Sequence, residues 1–204
     1  LEVLPLTNTI NLKELFDIQK SLDAHIASKR GLVLTERISL MKRFFAGIVE
    51  FTECANDHQE SFKDWKPNNQ PKPTTLEEYV DGLHFILSSG NNLAAAGLIP
   101  DPSTTDYLPI VLEFGDADTP AGKDEVVMSY FTNAIGLELE LYGGLQQRMH
   151  DYLSEDYHAL VCTYLGLANQ IGFSPEEIKA AYLTKNEENF ARQNGQSTKE
   201  GYEA

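Results

Sequence analysis

The sequence predicts an all-α protein, a helical bundle carrying a largely irregular insertion. Capped stretches place apolar residues at helical spacing, no segment alternates as a strand would, and periodicity stops over 91–122, where Gly, Pro, Asp and Thr dominate. The 204 residues suffice for one domain of this kind, spanning 1–204.

Asn11 offers a cap, and Leu12, Leu15, Phe16, Leu22 and Ile26 recur at helical spacing until Lys29-Arg30-Gly31, so a first helix is expected over 12–29. A second starts near Thr35 and passes Asn56, with Ile38, Met41, Phe45, Ile48 and Val49 expected to face inward. Pro67, Pro71 and Pro73 make 65–73 a loop. Thr74-Thr75-Leu76-Glu77 reads as a capping box opening a third helix, striped by Leu76, Val80, Leu83 and Leu87 and stopped by Ser88-Ser89-Gly90. The stretch 91–122 reads as a mobile insertion with a short apolar piece at 108–112. Two helices follow, over about 123–142 and 145–171. Ser174-Pro175-Glu176-Glu177 then opens a last helix reaching about Gln193, and 194–204 reads as a flexible polar tail.

Sixteen basic residues against thirty-one acidic ones leave a net charge of −15, a field that repels phosphate backbones and anionic lipid. No nucleic-acid or membrane partner is expected. An anionic substrate would need metal cations between it and the protein's carboxylates. Cys54 and Cys162 make no disulfide framework and no apolar run reaches the ~20 residues of a membrane span. A soluble protein of a reducing cytoplasm is expected.

Glu50 and Glu53 are three apart on the second helix, and Glu78 and Asp81 are three apart on the third, so each pair shares a face. Both pairs border apolar residues. If the two helices run antiparallel, four carboxylates converge, and unit charges ~4 Å apart cost ~4 kcal/mol per pair at an effective dielectric of 20. Protonation or bound cations must relieve that. Oxygen-only ligation selects Mg²⁺, with Mn²⁺ a substitute, and two or more ions per site would bridge phosphates. Solvated acidic faces are the competing reading.

Lys185, Asn189 and Arg192 lie at i, i+4 and i+7 on the last helix, which makes a phosphate-facing stripe or a solvated one. Lys63 and Trp65 stand in a loop before the third helix. Gln19 lies on the apolar side of helix one, with Asp23 a turn later; a buried amide there could read a base edge or be held by backbone. His84 and Phe85 follow the second acidic pair, where an aromatic ring could flank a sugar or base. Gly82, inside a helix, implies close approach by a ligand or a neighbouring helix.

Glu50-x-x-Glu53 followed by Glu78-x-x-Asp81 resembles the metal motif of the all-α NTP pyrophosphatase superfamily, which includes MazG-like enzymes and dimeric dUTPases. Five segments are similar to the bacterial and phage dimeric dUTPases: Glu14 to Asp23, Glu50 to Asp57, Phe62-Lys-Asp-Trp-Lys66, Glu77 to Phe85, and Lys185 to Gln193. The resemblance implies a homodimer that hydrolyses dUTP to dUMP and pyrophosphate, accepts dUDP, and attacks at the β-phosphorus. It implies metals on Glu50, Glu53, Glu78 and Asp81, all four catalytic, with Glu53 acting on the attacking water. It also implies Gln19 at uracil, Phe85 on the deoxyribose, and Lys185, Asn189 and Arg192 at base and phosphates. Asp23, Lys63, Trp65, His84 and Tyr202 complete the expected substrate-binding set. Two other readings stay open: a broader nucleotide pyrophosphatase such as a dCTPase, and a non-catalytic protein that binds a regulatory partner on the same fold.

Overall fold

The computed structural model describes residues 10–112, 119–149 and 151–196. Among these, six α-helices and no strands are found: α1 (Leu12–Arg30), α2 (Arg37–Asp57), α3 (Thr75–Ala95), α4 (Pro120–Gln147), α5 (Leu153–Ile171) and α6 (Pro175–Gln193), with 3-10 turns at Gln59–Ser61 and Pro102–Thr104. No described helix is long and apolar enough to cross a membrane.

The register between helices can be read from their contacts. Asp57 meets Thr74, and Arg43 meets Ser88, so α2 and α3 run antiparallel. Tyr79 and Tyr164 exchange hydrogen bonds, each hydroxyl donating to the other's backbone carbonyl (3.0 and 2.8 Å), and their rings stack at 4.4 Å. Phe51 stacks on Tyr164 at 4.6 Å. This aromatic clasp joins α2, α3 and α5 in the core directly behind the acidic residues. Gly82 belongs to it: a Cβ there would come within 2.3 Å of the Tyr164 hydroxyl and 2.8 Å of the Phe51 ring, so a neighbouring helix explains the glycine. α4 packs on α2 and α5, while α1 and α6 lie together over α3.

Four expectations are corrected. Ile38, Phe45 and Val49 are exposed, because α2 buries Leu40, Met41, Phe44, Gly47, Phe51 and Cys54 instead. The helix is apolar on two faces, and helical spacing does not distinguish the outward one from the core face. The Thr74–Glu77 capping box does not form; the Thr74 hydroxyl donates to Asp57, and Glu77 pairs with Lys185. α3 continues through Ser88-Ser89-Gly90 to Ala95, since these small residues admit neighbours rather than stop the helix. A Cβ on Gly90 would lie 2.1 Å from the Tyr157 hydroxyl. Last, α4 runs through Gly143-Gly144 to Gln147, and the turn into α5 begins at Arg148, which adopts a left-handed backbone.

Of the 91–122 stretch, 91–95 extend α3 and 120–122 open α4. Between these two pieces, Ile110 is pinned to α5 and α4: its N–H donates to the Cys162 carbonyl at 3.0 Å, and its carbonyl accepts from Tyr130 at 2.6 Å. The start of α6 forms as expected, with reciprocal Ser174 and Glu177 bonds.

Glu138 on α4 is fully buried against Gly47 of α2, and among the described residues neither of its oxygens has a hydrogen-bond partner. Burial alone drives its pKa well above the usual carboxylate range.

Candidate active site

Antiparallel packing of α2 and α3 brings both acidic pairs to one cleft of about 630 Å³, bounded also by α1 and α6. One carboxylate oxygen from each of Glu50, Glu78 and Asp81 lies within 4.8 Å of the others. These three side chains are half-buried, while Glu53 is exposed and lines the same cleft.

The electrostatics are those of acids short of positive charge. Burial, then the charges of Asp81, Glu53 and Glu78, push Glu50 up to about 7, with Lys185 opposing. Glu78 is raised by burial and by Asp81, Glu53 and Asp57. Asp81 is raised because burial outweighs its bond to Lys185. Burial works to lower Lys185, yet Asp81 at 2.6 Å and Glu77 at 3.1 Å hold it above the ordinary lysine value. A set of carboxylates alone, mutually repelling and close together, suits a hard divalent cation, which would neutralise the repulsion.

Lys185 of α6 is nearly buried and faces the acids; Asn189 and Arg192 follow it along the cleft wall. Arg192 donates to Glu188 at 2.5 Å and to Asn189 at 3.3 Å. At the far end, Gln19 is buried at 3% exposure, and its Nε2 donates to Asp23 at 2.9 Å. Its Oε1 accepts from the Tyr182 hydroxyl and faces His84 Nδ1, both at 2.7 Å. His84 stacks on Tyr182 at 4.0 Å; burial, helped by Lys185, pushes its pKa down to about 3, so the ring is neutral. Asp23 also accepts from Ser88 at 2.8 Å and Asn92 at 2.9 Å; burial raises its pKa against these bonds. Phe85 is half-buried in the cleft wall.

The structure thus gathers Gln19, Asp23, Glu50, Glu53, Glu78, Asp81, His84, Phe85, Lys185, Asn189 and Arg192 around one cleft. It does not bring Lys63 or Trp65 there. Lys63 is tied to Asn56, and Trp65 is 71% exposed, edge-on to Phe62. Tyr202 lies outside the described residues.

Several cleft residues escaped sequence reasoning. Lys42, Arg43, Glu77 and Ser88 line it, and Tyr182 and Asn92 support it. Arg43 had a signal, since it precedes Glu50 by seven residues on the same helix face. Its guanidinium donates to Ser88 Oγ and the Ser39 carbonyl, both at 2.9 Å.

A carboxylate cluster suited to a divalent cation, with lysine and arginine on the facing helix, is the arrangement that metal-assisted hydrolases of phosphoanhydrides use, here on an all-helical scaffold. A family model described as dUTPase matches residues 11–196, and the chain belongs to that family. Its activity is accordingly the hydrolysis of dUTP and dUDP to dUMP. No curated protein matches the chain.

Proposed function

We propose that Mg²⁺ is the cation, held by Glu50, Glu78 and Asp81 with Glu53, and that residues 1–204 act as one domain of a homodimer in a reducing cytoplasm. The carrying observation is the convergence of three carboxylate oxygens in the cleft that also holds Gln19 and Lys185. When bound, the cation supplies charge neutralisation for the phosphates and acidifies water. Mn²⁺ would substitute.

Glu53, the exposed member of the four, takes the proton of the attacking water. The new bond forms from that water's oxygen to the β-phosphorus. The bond from the β-phosphorus to the α–β bridging oxygen breaks, releasing dUMP and pyrophosphate; dUDP gives dUMP and phosphate. Lys185 and Arg192 steady the phosphates, Asn189 and Gln19 meet the base, and Phe85 packs against the deoxyribose.

Homodimerisation is supported by exposed apolar side chains on the paired helices α2 and α4: Ile38, Phe45 and Val49 on one, Met128 and Leu139 on the other. A monomer would leave these side chains in water.

The deciding experiment measures pyrophosphate release from dUTP with Mg²⁺ for the wild type and Glu53→Gln. Loss of a general base predicts a fall in kcat of about 10²–10⁴-fold with helicity unchanged. Full activity in Glu53→Gln would remove it from this role. A nucleotide panel run alongside should favour dUTP, and equal turnover of dCTP would defeat uracil selection.

A further inference from the structure

Hydrogen bonds around Gln19 run in one fixed direction. Arg43 can only donate, and its Nε–H goes to Ser88 Oγ at 2.9 Å. The Ser88 hydrogen is therefore spent on Asp23 Oδ2 at 2.8 Å, where Asn92 Nδ2 also donates at 2.9 Å. Asp23, receiving these donors, is an acceptor for Gln19 Nε2 at 2.9 Å. That orients the Gln19 amide so that its oxygen faces Tyr182 and His84, each at 2.7 Å. A carbonyl oxygen has two lone pairs, and both are taken. His84 must accordingly carry its proton on Nδ1.

What Gln19 has left to offer a ligand is the second hydrogen on Nε2, a donor. We propose that Asp23, Tyr182 and His84 are positioning residues that lock the Gln19 amide in a donor-only state, so that the cleft accepts a pyrimidine with a carbonyl at position 4 and rejects one with an amino group there. Cytosine would set donor against donor, and a site built to hydrogen-bond one polar group rejects its mismatched analogue strongly. The inference rests on the reading of Gln19 as the base-contacting residue, and the test separates the two.

The experiment uses the full chain with Mg²⁺ and compares kcat/KM for dUTP and dCTP in Gln19→Leu, Asp23→Asn and Tyr182→Phe. Asn at position 23 can donate as well as accept, so the chain of bonds can reverse and the Gln19 oxygen can turn to the cleft. Asp23→Asn should therefore lower the dUTP/dCTP ratio about tenfold or more, partly by raising dCTP turnover above wild type, a gain that general loosening would not give. Tyr182→Phe removes one of the two donors that hold the Gln19 oxygen away from Asp23, which lowers the cost of turning the amide, so the ratio should move the same way by less; it decides the matter should Asp23→Asn not fold. Gln19→Leu should collapse discrimination. A ratio unchanged in Gln19→Leu removes the base-reading role itself. If Gln19→Leu collapses the ratio while the folded positioning variants leave it at the wild-type value, the lock is overturned and base reading stands.

Discussion

At the scale of single residues, the acids show how proton and cation compete. Glu50 is lifted from 4.5 to about 7 by burial and by three neighbouring carboxylates. The folded chain therefore binds a proton more tightly than the unfolded one between these values, and the stability this contributes is full below pH 4.5 and lost as pH rises through 7. A divalent cation must displace that proton. The Mg²⁺-induced rise in Tm should accordingly grow between pH 5 and 8 and then level off, as scanning calorimetry would show; a pH-independent shift would sink the assignment of Glu50 as a ligand. The acids were legible because pairs at i, i+3 bordered apolar stripes. Ser88, Asn92 and Tyr182 were not legible, because their roles arise only from the register between helices that no local spacing encodes.

Among the helices, local chemistry predicts a boundary well where the boundary itself needs that chemistry. Ser174-Pro175-Glu176-Glu177 starts α6 because the reciprocal cap satisfies free N–H groups. Ser88-Ser89-Gly90 misleads, since its small side chains serve the approach of Tyr157 and the bonds to Asp23 and Arg43. The α2–α4 contact contains a further departure from pattern, Glu138, whose oxygens have no hydrogen-bond partner among the described residues. Its folded pKa stands far above its unfolded one, so stability is lost as pH climbs above the unfolded value near 4.5. Glu138→Met keeps the volume and removes the buried polar group. Denaturant melts should show a gain of about 1–3 kcal/mol at pH 7 and a flatter decline toward alkaline pH. Equal or lower stability would mean that the carboxyl has a use in the core.

For the whole molecule, the outward stripe of α2, Ile38, Phe45 and Val49, has the same helical spacing as a core face. Period alone marks apolar faces without saying whether the core or a second chain covers them. Phe45→Lys should therefore convert a dimer to a helical monomer in analytical ultracentrifugation, and a chain already monomeric before the change would end the dimer reading. The fold class was legible because every segment with strong periodicity had one period. The contact partners were not, since they depend on distant parts of the chain. The aromatic clasp behind the acids has one more consequence. Tyr79, Tyr164 and Phe51 tie α3 to α2 and α5, so the carboxylates keep their spacing only while that native packing is intact. Ligands that bind only the native form shift the opening equilibrium in its favour. The enzyme's lifetime against proteases would thus track its workload, being shortest when cation and nucleotide run out.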